Sequence, residues 1–138
     1  MKPEEIAERI ADEVAPRVDS NVVDRVLVAL RPGTEDDPSP IPELLDQGKD
    51  VYVFYVILVE AEDSGADRTI VAPAHLEAMV VDLADWAREE FEDAVVLPAG
   101  VLFAWKGGSY RRMLKKQGED PNEMVIVERE ATGVPPEA

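Results

Sequence analysis

The stretch VYVFYVILV, residues 51–59, is nine apolar residues without a break. A strand with one wet face alternates apolar and polar residues, because successive side chains point to opposite sides of the sheet. This run does not alternate, so both of its faces must be dry. Tyr52, Phe54, Val56 and Leu58 belong to one face, and Val51, Val53, Tyr55, Ile57 and Val59 to the other. Burying each such side chain contributes roughly 1.5–3 kcal/mol, so a solvated second face is untenable. The run is also far short of the roughly 20 apolar residues that a membrane helix needs. Two covers are required for one strand.

The first cover is legible in two amphipathic segments. In PEEIAERIADEVA, residues 3–15, Ile6, Ile10 and Val14 recur at four-residue spacing with Ala7 and Ala11 beside them. Pro3 suits the first helical position, Glu4 and Glu5 suit the positive end of the helix dipole, and Pro16 stops the helix. In PAHLEAMVVDLADWAREEFEDA, residues 73–94, Leu76, Met79, Val80, Leu83, Ala87 and Phe91 mark one face, with Trp86 at its edge. Asp82, Asp85, Glu89 and Glu92 mark the other.

The remaining segments read as strands and one long loop. NVVDRVLVAL, residues 21–30, fits a helical stripe as well, but its β-branched richness favours a strand over 24–31. RTIVA (68–72), AVVLPAGVLFAW (94–105, interrupted by Pro-Ala-Gly) and EMVIVERE (123–130) complete the strand set. Residues 32–50 hold four prolines and two glycines, which predicts a loop with a single helical turn at PELLDQ before Gly48. The expected fold is α+β: one domain over residues 1–130 with a mostly antiparallel sheet and two amphipathic helices packed on one face. Residues 131–138, ending in Pro, Gly and acid, read as a mobile tail. The second face of 51–59 is expected to be closed by another subunit, with the 32–50 loop as the intrachain alternative.

Charge narrows the environment. Thirty acidic residues stand against 14 basic, a formal net charge of −16. Such a body repels nucleic acid over most of its surface. It suits a high-salt cytoplasm, where a Debye length of about 3 Å at 1 M screens like-charge repulsion. Five of the 14 basic residues fall in KGGSYRRMLKKQG, residues 106–118, which carries no acid. If Ser109 caps a short helix that ends at Gly118, then Arg111, Arg112, Lys115 and Lys116 share one face. With Lys106 they form a positive patch on a negative body. Its expected partner is the acidic face of a neighbouring copy; its own carboxylates and a nucleic-acid backbone are the lesser alternatives. Tyr52, Tyr55 and Trp105 are the aromatic candidates for the same subunit interface.

Motifs for chemistry are weak. The chain has no Cys and a single His. His75-Leu76-Glu77 matches the H-x-E fragment of zinc deaminases, but the P-C-x-x-C that completes the zinc site cannot exist here. Lys106-Gly107-Gly108-Ser109 lacks the P-loop frame, and there is no G-x-S-x-G elbow. Glu60 and Glu62 share a strand face on which a hard divalent cation could sit, the basis of a metal-dependent hydrolase as a third reading. No catalytic, cofactor-binding or metal-ligating residue is assigned, and the chain is not expected to be an enzyme. No apolar leader follows Met1-Lys2, so classical secretion and a membrane partner are not expected.

The element order carries a resemblance. An N-terminal amphipathic helix, the strand and acidic turn VYVFYVILVEAEDSG, the helix HLEAMVVDLADWAREEF and a closing strand MVIVERE resemble tail-terminator and head-tail neck proteins of long-tailed viruses. That resemblance, over residues 3–130, implies a small α+β structural subunit of the virion. Such subunits form homo-oligomeric rings, commonly hexameric, between tail tube and head connector and beside other viral structural proteins. With the acidic composition it implies a virus of a halophilic archaeon. The Pro-rich 32–42 stretch and the basic 106–116 segment depart from the pattern. The competing expectation is a small acidic regulatory or ligand-binding module in the cytoplasm of a haloarchaeal cell.

Overall fold

In the computed structural model, residues 2–60, 73–104 and 109–133 are described, with the side chains of 73–75 left aside. The elements in chain order are α1 (Pro3–Val14), β1 (Val23–Pro32), α2 (Ile41–Asp46), β2 (Asp50–Glu60), α3 (Pro73–Glu90), β3 (Ala94–Ala104), α4 (Tyr110–Lys116) and β4 (Val125–Glu130). Short 3₁₀ turns follow α1 at Ala15–Arg17 and precede β4 at Pro121–Glu123. The strands form one sheet in the order β3-β2-β1-β4. β1 is antiparallel to both β2 and β4, whereas β2 and β3 run parallel. The class is α+β as expected, but the sheet is mixed rather than mostly antiparallel. The reason is α3: an 18-residue helix between β2 and β3 carries the chain back across the sheet, which makes the next strand parallel. The expected strand 68–72 lies outside the described residues.

β2 is an interior strand, and both its faces are dry. Phe54, Val56 and Leu58 join Val26, Val28 and Leu30 of β1 beneath α1 and α3; Ile6, Ile10 and Val14 of α1, Leu83 and Ala87 of α3, and Phe91 just after α3 close the main core. Arg9 of α1 pairs with Glu90 of α3 and lies 5.3 Å from the Phe91 ring centre. Trp86 meets Phe91 edge-on at 5.6 Å, so its place at the margin of the apolar stripe holds.

The opposite face is covered by the chain itself. Tyr55, Ile57 and Val59 pack with Leu27, Ala29 and Ala104 under Leu114 of α4, with Tyr110, Met113, Met124 and Ile126 at the border. Lower on the same face, Val51 and Val53 pack with Ile41, Leu44 and Leu45 of α2. The expectation that a second copy closes this face is thus corrected: the proline-rich loop and the basic helix do so. Each is too short to show a long apolar period. Tyr55 is only 8% exposed and belongs to this second core rather than to a subunit surface. Tyr52 is half-buried against the main core.

β3 contains a register correction. Phe54 faces Pro98 and Tyr55 faces Gly100, so Ala99 is the extra residue of a bulge. Before it, even-numbered Val96 faces the helices; after it, odd-numbered Val101 and Phe103 do. Without that shift, every residue of the second half would turn to the wrong face. The Pro-Ala-Gly interruption in the sequence is this bulge.

Residues 131–133, expected in a mobile tail, are held in place. Ala131 donates its N–H to the Asp24 carbonyl at 3.1 Å, Thr132 to Ala15 at 2.9 Å, and Gly133 accepts from Ser20 at 3.0 Å. A Cβ on Gly133 would stand 2.3 Å from the Val18 carbonyl oxygen, so only glycine fits this approach. Among the described residues no helix is long and apolar enough to cross a membrane.

Candidate partner-binding surface

α4 is built as a capped, two-sided helix. Ser109 has extended backbone, and its hydroxyl accepts the Arg112 N–H at 3.4 Å. Gly118, at φ +84°, ends the turn in the left-handed region that glycine tolerates. Leu114 points into the sheet and is fully buried, with Tyr110 and Met113 beside it. Arg111, Arg112, Lys115 and Lys116 are all exposed on the other side. The capped helix and its cationic face are therefore present as expected. Lys106 and Trp105, the other expected members of the interface, lie outside the described residues.

Among the described residues, the arginines of α4 differ from the other arginines in having no acidic partner. Each described arginine outside α4 is engaged. Arg9 pairs with Glu90, Arg17 with Glu13, Arg25 with Glu128, Arg31 with Asp37 and Glu119, Arg88 with Asp85 and Arg129 with Asp12. Among the described residues, Arg112, Lys115 and Lys116 form no ion pair. Arg111 donates only to the neutral Asn122 side-chain oxygen at 3.1 Å and lies 5.7 Å from the Tyr110 ring centre.

The segment that carries α4 is fastened by a network the sequence did not announce. Arg31, at the end of β1, donates through Nε to both Glu119 oxygens at 2.7 and 2.8 Å. Its Nη1 and Nη2 grip Asp37 at 2.9 and 2.7 Å. Asp37 also accepts the Thr34 N–H at 2.8 Å. Glu119 directly follows the α4 turn and Asp37 belongs to the loop that leads to α2, so a single guanidinium ties down both covers of the second face. The hydrogen bonds from Arg31 hold the Asp37 carboxyl down at about 2, and the two carboxylates, Asp37 first, raise the Arg31 pKa. Burial, then the neighbouring Glu119, pushes the Tyr55 phenol up to about 12. The nearest signal in the sequence was the acid cluster Glu35-Asp36-Asp37 close after a lone arginine.

A second surface feature was also missed. Leu76, Glu77, Val80 and Val81 of α3 and Val101 of β3 line a shallow groove on the helix-covered side of the sheet. Val81 is 60% exposed, the most solvated large apolar side chain among the described residues. The α3 stripe contains Leu76 and Val80, but its period assigns them to the core and gives Val81 no role.

The acidic pair proposed for a metal is not brought together in the described residues. Glu60 ends β2 opposite Val23, half-buried, and Glu62 lies outside them. His75 stands in the first turn of α3, its side chain likewise outside. Among the described residues no three His, Cys, Asp or Glu side chains gather as a metal site. Comparison with protein-family models, with curated proteins and with solved structures finds no match to this chain.

Proposed function

We propose that this chain is a structural subunit that works by packing against other copies of itself rather than by catalysis. Its assembly, on this reading, is a ring in the tail or neck of a long-tailed virus. The single observation behind the reading is the α4 face: four exposed cations, none of them in an ion pair among the described residues, on a chain of net charge −16. A positive face on such a body is attracted to the acidic surface of its neighbours, and a head-to-tail contact of this kind generates a ring when the rotation closes. The α+β architecture is compatible with the ring-forming subunits that the element order resembles, though fold alone does not carry function.

Light scattering coupled to size exclusion, at low and at high salt and over a range of protein concentrations, tests the reading. The expected result is a closed multimer of fixed size. Arg112→Glu combined with Lys115→Glu should raise the dissociation constant at least tenfold and leave the melting temperature of the subunit unchanged, since both side chains are exposed. A chain that stays monomeric at every concentration overturns the proposal. A defined dimer that binds a small ligand would favour the regulatory-module alternative.

A further inference from the structure

We infer that α4 of one copy seats in the α3–β3 groove of the next. The inference rests on the assembly reading above and adds the receiving surface. The two surfaces complement each other in both chemistry and position. The groove floor is apolar, made by Leu76, Val80, Val81 and Val101, and Glu77 also lines it. Asp85, one helical turn beyond Val81, is 65% exposed beside it. Arginine and lysine side chains match such a surface well. Their methylene stems cover apolar area while their heads reach outward to carboxylates. The four cations of α4 thus offer stems for the groove floor and charges for Glu77 and Asp85. Asp85 already has a loose contact with Arg88 at 3.7 Å, whereas Glu77 has no ion pair among the described residues, so Glu77 is the principal anchor.

Position makes the contact intermolecular. α4 packs on the sheet face formed by Tyr55, Ile57 and Ala104, while Leu76 and Val101 border the core on the opposite face. The sheet separates the two surfaces, so one molecule cannot satisfy itself. A copy that gives α4 on one side and receives α4 on the other has a heterologous interface, which is the kind that closes into rings. The same pairing explains why a strongly acidic chain would expose valine at this site: the groove is one of the places on α3 where a neighbour's cations can approach with their stems desolvated.

The test uses the full chain and the same scattering measurement. Val81→Asp, at a solvated helix position, should lower association at least tenfold with the circular dichroism and melting curve unchanged. Glu77→Arg and Arg112→Glu should each weaken assembly, and the double variant should recover most of the loss. Recovery by the charge swap would establish the pairing directly. Should Val81→Asp and Glu77→Arg both assemble as the parent chain does while Arg112→Glu fails, α4 docks elsewhere: the inference falls and the assembly reading stands. If the parent chain never associates, both fall.

Discussion

The two faces of the sheet bury similar side chains by different means. On one side, α1 and α3 lay 12- and 18-residue amphipathic helices over Phe54, Val56 and Leu58. On the other, α2 and α4, of six and seven residues, cover Val51, Val53, Tyr55, Ile57 and Val59. Isolated helices that short do not hold together in water, since helices below about 12–15 residues are marginal. The second face therefore depends on anchors: Leu114 driven into the sheet, and Arg31 bonded to the segments that bear both helices. One face is closed by periodicity and the other by fastening.

That contrast can be broken from either side. The largest effect belongs to the first face: Phe54→Ala should cost about 3–5 kcal/mol in chemical denaturation, since a fully buried aromatic leaves a cavity. Leu114→Ala should cost about 2–5 kcal/mol, and hydrogen exchange should show protection lost in α4 and retained in β2. Arg31→Leu should cost about 1–3 kcal/mol, less than a fully buried pair because the network is partly wet; it should loosen α2 and α4 together and leave α1 and α3 protected. Acid gives a reversible version. Asp37 titrates at about 2 when folded against an ordinary value of 3.8, so its contribution is complete above about pH 4 and is lost as the pH falls through 2. Acid melts of the parent chain and of Asp37→Asn should differ above pH 4 and converge near pH 2. The smallest effect is at the cap: Ser109→Ala should cost about 0.5–1 kcal/mol, read as faster amide exchange in the first turn of α4.

The same contrast explains what could be read in advance. α1 and α3 repeat their apolar residues over several turns, and β2 declares its double burial by a run without polar interruption. The β-branched residues of 21–30, Val23, Val26 and Val28 among them, favour a strand over 24–31, and β1 bears it out. The Ser109 cap and the outward face of α4 were visible as local chemistry. The parallel pairing of β3 was not, because direction follows from where α3 travels rather than from any residue of β3. Nor was the destination of α4. Tyr110, Met113 and Leu114 announce an apolar side but not what it meets. The Arg31 network joins residues 31, 37 and 119, and a contact across 88 positions leaves no local pattern. Val81 went unremarked because a single apolar residue on a polar helix face is ordinary in sequence. It gains meaning only beside Val101.

The bulge at Ala99 has a further effect on the outer margin of the sheet. Among the described residues β3 is an edge strand, eleven residues without a charge from Ala94 to Ala104, and such a margin invites haphazard zippering with other chains. Pro98 offers no amide hydrogen there, and Ala99 throws the ladder out of step. An incoming strand can match the portion below the break or the portion above it, never the whole length. A three-residue hitch in the backbone thus serves as a firebreak, shortening the stretch of oily rim along which a foreign strand can zip.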